Sequence, residues 1–417
     1  MISGLTRRGI IGTAASIMLI GAAQAQSEVT IGLVLPLSGG SAAVGQQYRT
    51  GISIAVEQIN AAGGIKAMNG AKLKAVFADT QSKPDVGVSE TERLITRENV
   101  AIIGGAFNSA VSFPASEVAE RYKTPWVTVG SVKDEITERN FKYVFRINNK
   151  ATYDAREQLD AMDLLKKETG KGPKTLAMFY EGSDWGRSHA ANVRKIAKER
   201  GYDVVLDEAA PPNQVDFSSQ LLKIRAAKPD ALIVAFYTPD HLLLTRQMFE
   251  QRLDIPFGVH SVGGGTEDPS FYKAVPAQAV AFYFVQEDRQ VDALQGARHP
   301  EYDDLERKFK AALNYDVSAY GAQGFSLMYV IKDALERSAS ADRDKIREAL
   351  VKTDITSGPA MYVGYRRIKF DENGQNTFAN GAISQNLGGE RRTVWPAESR
   401  APTTKPAWPV PAWSERK

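Results

Sequence analysis

Along this chain, short and nearly continuous apolar runs take turns with longer stretches whose apolar residues recur every three or four positions. VTIGLVLPLSGG, Val29 to Gly40, has the unbroken character of a strand covered on both faces. After it, Gln46–Ala62 brings Ile52, Ala55, Val56 and Ile59 to one helical face, and Gly63-Gly64 ends the helix. A strand over Leu73–Asp79 and a helix over Pro84–Glu98 follow, with proline in the first helical turn. Ala101–Gly104, Ser112–Tyr122 and Trp126–Val129 then read as strand, helix and strand. Such regular alternation predicts a parallel α/β domain.

The pattern then begins again. Phe141–Ile147 leads through Asn148-Asn149 to a helix over Tyr153–Glu168. Strands are expected at Thr175–Tyr180, Asp203–Ala209, Ala231–Phe236, Pro256–Val259 and Ala279–Val285, with helices at Trp185–Arg200, Asp216–Ala227 and Pro239–Arg252 between them. Helices over Tyr302–Asn314, Ser318–Arg337 and Asp342–Leu350 come next, with too few strands for a third sheet, so they complete an earlier domain. The Pro-rich tail from Pro396 is expected to be extended and to lie on the surface.

At 417 residues the chain exceeds one ordinary core, and 43% apolar with 24% charged residues fits a soluble globular protein of two domains. The first 25 residues differ in kind. Arg7-Arg8, an apolar run from Ile10 to Ala23 and the small-x-small site Ala23-Gln24-Ala25 form the pattern of a secretory signal peptide. The paired arginines resemble a twin-arginine signal, but a Sec signal also begins with basic residues, so the export route stays open. Without this segment 50 basic residues face 49 acidic ones, which offers nothing to nucleic acid or an anionic membrane. No cysteine is present, so thiolate catalysis, disulfides and zinc–thiolate sites are excluded. The four histidines, 189, 241, 260 and 299, lack metal-ligand spacing, and neither a phosphate-binding loop nor a G-x-S-x-G elbow occurs. No metal or cofactor is expected.

The turn Phe107-Asn108-Ser109 carries the first candidate chemistry. A turn leaving a parallel strand meets the amino end of the next helix, where free N–H groups and hydroxyls converge on one spot suited to a carboxylate. Ser109, Ser112, Gly130 and Ser131 are the donors expected there, against the plainer reading of a serine that only caps its helix.

Taken together, IGLVLPLSGG, GISIAVEQINAAGGI, DTQSKPDVG, IIGGAFNSAVSFPAS and KPDALIVAFYTPD resemble the periplasmic solute-binding proteins that feed ABC transporters, in the branch of the leucine/isoleucine/valine-binding protein. The resemblance covers nearly the whole mature chain. It implies two doubly wound parallel-sheet α/β lobes, joined by a three-segment hinge and closing over a ligand in the cleft. The implied division is a signal peptide at 1–25, a first lobe from 26–148 and 285–357, and a second lobe from 149–284 and 358–417. The crossings are expected near Asn148–Lys150, Phe284–Glu287 and Ser357-Gly358. Such a protein is not an enzyme; it works in the periplasm as a monomer and hands a small carboxylate to a permease and ATPase.

Carried over residue by residue, the resemblance places Ser109, with Asn108 and Ala110 beside it, and Gly130 and Ser131 at the ligand carboxylate. Val44 and Tyr320 wall the first-lobe side, and Trp185 and Tyr237 wall the second; Phe107 and Tyr153 are weaker candidates. For Tyr320 and Trp185 the competing reading is core packing. The positions where relatives hold an ammonium read Ala151-Thr152 and His260-Ser261, so Thr152 and His260 become polar candidates without a charge to offer. Asp154 lies two or three residues away and Glu267 farther off. A buried ammonium without a carboxylate costs several kcal/mol, so an aromatic or apolar carboxylic acid is slightly preferred and a branched-chain amino acid or amide is the alternative. A ligand-sensing module and an exported hydrolase are the remaining classes.

Overall fold

The computed structural model describes residues 27–211, 214–287 and 299–416. Residues 1–25, expected to be a signal peptide, lie outside them. Among the described residues no helix is long and apolar enough to cross a membrane.

The first lobe starts as the periodicity predicts: β1 (Glu28–Leu35), α1 (Ala42–Ala61), β2 (Lys72–Asp79), α2 (Pro84–Thr96), β3 (Ile102–Gly105), α3 (Ser109–Arg121), β4 (Trp126–Thr128) and β5 (Val144–Arg146). Its five strands are all parallel, in the order β2-β1-β3-β4-β5. α3 begins at Ser109, three residues before the apolar period starts at Ser112, because Asn108 is extended and its carbonyl accepts from Val111 and Ser112. The extra turn brings the helix's amino end to the rim of the sheet.

α4 (Ala151–Thr169) opens the second lobe, followed by β6 (Thr175–Glu181), α5 (Asp184–Glu199), β7 (Asp203–Ala210), α6 (Ser218–Ala227), β8 (Ala231–Ala235), α7 (Thr238–Glu250), β9 (Val259–Val262), α8 (Pro269–Ala274) and β10 (Phe284–Glu287). β9 sits three residues beyond the expected strand. Pro256 to Gly258 forms a turn, with Gly258 at φ +81°, so the strand starts only after it. β10 likewise begins late, behind a short 3₁₀ turn at Ala277–Val280.

α9 (Pro300–Leu313), α10 (Ala319–Ser338) and α11 (Arg343–Val351) return to the first lobe. α10 lies against α1 so closely that a Cβ on Gly51 would fall 2.1 Å from the carbonyl oxygen of Gly321. Glycine at this crossing is what lets the two backbones approach. A two-stranded ribbon, β11 (Asp354–Ile355) with β12 (Ile368–Lys369), precedes the hairpin β13 (Ala382–Leu387) and β14 (Glu390–Trp395). That hairpin adds two antiparallel strands to the second sheet, ordered β14-β13-β10-β9-β8-β6-β7.

Three expectations are corrected here. The third crossing does not fall at Ser357-Gly358: Ala360, Tyr362, Tyr365, Phe370 and Ala379 are buried in the first lobe's core, and the chain crosses between Ala379 and Ala382. The apolar stretch PAMYVGY drives this by packing on α10 before the chain leaves. Phe284–Glu287 is not a crossing either, because it forms β10 within the second sheet. The tail is not purely superficial either. Trp408 is buried against Phe257, His260 and Phe284, its indole N–H donating to the Lys171 carbonyl at 2.7 Å.

Candidate functional site

Between the lobes, at the carboxyl ends of both sets of parallel strands, lies a cavity of about 360 Å³ including its mouth. The first lobe contributes Phe107, Ser109, Gly130, Val132 and Tyr320; the second contributes Asp154, Trp185, Tyr237 and the run Val262-Gly263-Gly264. Of the sequence candidates, Ser109, Gly130, Trp185, Tyr237 and Tyr320 are brought together here.

The floor of the first-lobe side is built from backbone. Ser109 opens α3, so its N–H points out of the helix with no intrahelical acceptor. The Ser109 hydroxyl oxygen accepts from the N–H groups of Val132 (3.3 Å) and Lys133 (3.2 Å), leaving its own hydrogen to donate. Gly130 is required by its neighbours: a Cβ there would come within 2.4 Å of the Tyr48 hydroxyl oxygen. A partial positive charge from the helix end reinforces the arrangement.

Aromatic rings make the walls. Phe107 packs with Tyr48, Tyr237 and Tyr320 at centroid separations of 6.1, 5.4 and 5.4 Å, and Trp185 lies 4.7 Å from Tyr237. Tyr237 and Trp185 come from the second lobe, so this cluster spans the cleft. The Tyr237 hydroxyl reaches the Asn108 side chain and the Ser109 N–H; burial, then the nearby Glu181 charge, push its pKa far up, so it stays a neutral donor. Tyr320 donates to the Gly264 carbonyl at 2.7 Å, fixing the Gly263-Gly264 loop as part of the wall.

Asp154, in the first turn of α4, is 2% exposed and forms part of the cavity wall. Its Oδ1 accepts from Asn149 and from Gln286 Nε2 (3.1 Å), and the same amide donates to Glu157 at 2.9 Å. A carboxylate therefore faces the cavity although the aligned positions lacked one. The sequence puts Asp154 two or three residues from the aligned Ala151-Thr152, and its place one turn into the helix is what brings it to the cavity.

The other candidates lie elsewhere. Val44 is core within α1. Asn108 faces a second, outer space and donates to Ser41 Oγ at 2.9 Å. The Ser131 hydroxyl is buried 2.8 Å from the Ala106 carbonyl and beside Ser112, holding two turns together. Thr152 is taken up by Asp134, which accepts its N–H at 3.0 Å. His260 is corrected outright: because β9 starts late, it lies within the strand, 1% exposed, stacked 4.4 Å from Phe284 with Nε2 on the Phe257 carbonyl. Burial lowers its pKa to about 4. Glu267 is buried near Arg391 and Tyr272 and does not line the cavity. Tyr153 stays outside the cavity wall, beneath the Lys150 ammonium.

The lobes are shut. Lys133 Nζ meets Asp184 Oδ2 at 2.7 Å, Gln47 Nε2 meets Asp268 Oδ1 at 3.2 Å, and Asn192 Nδ2 meets Asp134 Oδ2 at 2.8 Å, each across the cleft. Behind the cavity Arg146 is fully buried, and burial lowers its pKa to about 10. Its guanidinium donates to the Lys133 carbonyl (2.7 Å) from the first lobe and to Gln375 Oε1 (2.5 Å) beside the third crossing.

A family model described as "Periplasmic binding protein" matches residues 28–384. A Leu/Ile/Val-binding protein homolog 7 from Brucella suis biovar 1 (strain 1330) is 32% identical over 397 residues, covering 93% of this chain and 96% of the relative. Among solved structures, a leucine binding protein from Thermotoga maritima superposes with TM-score 0.74 at 24% identity, over 88% of this chain and 97% of that one. A solute binding protein from R. palustris in complex with benzoate gives TM-score 0.73 at 19% identity, over 88% and 95%. At those identities the two structures speak for the fold, with parallel sheets in two lobes.

Proposed function

This chain belongs to the periplasmic binding protein family, and from that premise we propose that it is the exported substrate-binding component of an ABC uptake transporter, closing over a small α-amino acid with an apolar body. The observation that carries this is the pairing across one cavity of a helix amino end at Ser109, from the first lobe, with the Asp154 carboxylate from the second. The ligand carboxylate goes to Ser109 and the Gly130 turn, its ammonium to Asp154, and its side chain among Phe107, Trp185, Tyr237 and Tyr320. Binding both charges from opposite lobes makes closure depend on the ligand. The relative named as a Leu/Ile/Val-binding homolog agrees in ligand class.

A second reading has its own support. The four rings offer apolar burial at about 25 cal/mol per Å², with about 0.5 to 1.5 kcal/mol more from each well-placed aromatic pair. An aromatic carboxylate uses them fully, and the benzoate complex shares this fold. Parallel calorimetric titrations with leucine, its deaminated keto acid and benzoate separate the two. Leucine should bind at least tenfold tighter than the keto acid, and Asp154→Asn should erase that margin. Benzoate binding tightest, with Asp154→Asn indifferent, would replace the amino acid with an aromatic acid.

A further inference from the structure

Helix amino ends are where this fold can receive an anion, and those of α3, α4 and α5 all meet the cavity, through Ser109, Asp154 and Trp185. They are not equally open. At α3 the N-cap residue Asn108 makes no side-chain cap, and what reaches the Ser109 N–H is the neutral Tyr237 hydroxyl. At α4 the Thr152 N–H already donates to the Asp134 carboxylate at 3.0 Å. At α5 the acceptor is Glu181, the last residue of β6.

The hold on Glu181 is complete. Its Oε2 accepts from the Ser183 N–H at 2.9 Å, and its Oε1 accepts from the Gly186 N–H at 3.0 Å and from the Ser183 hydroxyl. With both oxygens accepting, the geometry is that of an ionised carboxyl. Glu181 is 1% exposed, and burial raises its pKa while the three donors pull against the rise. Gly186 directly follows Trp185 and packs so tightly that a Cβ on it would fall 2.1 Å from the Glu181 carbonyl oxygen. The carboxylate thus sits at the turn that carries the cavity wall. It also lines the outer space between the lobes, which shares Tyr237 with the inner cavity, and its charge acts on the Tyr237 hydroxyl.

We propose that Glu181 is a specificity-determining residue: a built-in anion that fills the amino end of α5, so that the site takes one ligand carboxylate, at α3, and rejects a second at the ligand's far end. A distal carboxylate arriving beside Trp185 and Tyr237 finds these second-lobe donors spent and a like charge behind them, and like charges repel strongly in a cleft shielded from water. The inference rests on the placing of the ligand carboxylate at Ser109 and deepens it, for an amino acid and an aromatic acid alike.

Norleucine and 2-aminoadipate share one carbon chain and differ in the terminal carboxylate; 4-methylbenzoate and terephthalate make the same comparison without an α-ammonium. In calorimetric titration of the mature protein, the monocarboxylate of whichever pair binds should be favoured by about thirtyfold or more. Glu181→Gln keeps an acceptor in place and removes the charge, and should cut that preference about tenfold, whereas Glu181→Asp should retain most of it. Asp154 also lines the cavity, so the preference must survive in Asp154→Asn. Its loss there would assign the exclusion to Asp154 and overturn the proposal, whether or not the Glu181 variants fold. Equal binding within a pair, or a preference untouched by Glu181→Gln, overturns it too and leaves the binding function standing. Binding of the benzoate pair alone discards the amino acid but not the role of Glu181. No binding of any of the four removes the carboxylate site at Ser109, and the proposal with it.

Discussion

The two lobes share a fold but meet the cavity with different materials. The first offers a helix amino end and a hydroxyl beside the Phe107 and Tyr320 rings, held by a core that joins its earliest and late segments. The second offers a carboxylate and two large rings. Its core also holds His189, His241 and His260, each no more than 1% exposed, whereas the remaining histidine, His299, opens α9 on the first lobe. The first lobe thus meets the ligand with neutral groups, and the second carries the groups whose charge can change.

Acid should expose this difference most strongly. Burial lowers the pKa of His189 and His260 to about 4 and that of His241 to about 3. A histidine whose folded pKa lies below its unfolded value of about 6.5 binds fewer protons when folded, so stability falls as pH drops from about 6.5 towards 4. Every tenfold difference in proton affinity between the folded and unfolded chain is worth about 1.4 kcal/mol, so the loss should reach several kcal/mol. Hydrogen exchange at pH 4.5 should show the β6–β10 sheet opening before β1–β5. Equal loosening of both lobes would mean that the histidines do not set acid stability.

Next in size is Trp185→Ala, which removes a ring shared by the cavity wall and the second core and should weaken leucine binding by about 2 to 4 kcal/mol in calorimetry. An affinity within threefold of the parent would reduce Trp185 to packing alone.

On the first lobe, Ser109→Ala should weaken binding by about 1 to 3 kcal/mol. From sequence alone its unfolding should barely move. The structure changes that expectation, because the Val132 and Lys133 N–H groups would lose their acceptor, and ligand-free stability should fall by about 1 to 2 kcal/mol. Denaturant titration without ligand reads this directly. An unchanged midpoint would show that the turn recruits another acceptor.

The smallest effect belongs to Lys133→Ala. The Lys133–Asp184 pair is partly exposed, with side chains 17% and 39% accessible, so its removal should shift the balance between open and shut by less than about 1 kcal/mol. Small-angle scattering without ligand should report a slightly larger mean radius. No change even at low salt would assign closure to the aromatic cluster instead.

Much of the architecture was legible because strands buried on both faces leave unbroken apolar runs and their covering helices leave a clear period. The hairpin of β13 and β14 was missed because strands such as ERRTVW carry charges on an exposed face and interrupt the apolar run. The crossings shifted for a related reason: PAMYVGY looks like the end of a lobe, yet it is apolar surface that α10 needs. Within the site, Ser109, Gly130, Trp185, Tyr237 and Tyr320 stood out because they follow parallel strands or lead helices. Asp154 stood only near the aligned positions because it sits a turn inside its helix, and Gly263-Gly264 carry no side chain to mark them. His260 misled because its role depended on a strand boundary displaced by a single turn.

The contact between α1 and α10 also sets a timetable. β1 and α1 leave the ribosome early, but α10 follows about 290 residues after the start of β1. At roughly 5 to 20 residues per second, about 15 to 60 s separate the two. Until Gly321 reaches Gly51, the side of α1 that meets α10 has no cover, although its other side can already pack on β1 and β2, so the first lobe cannot finish folding while the second is still being made. The earliest-made part of the first lobe must stay incomplete for most of synthesis, and the second lobe, although made later, can complete its parallel core first.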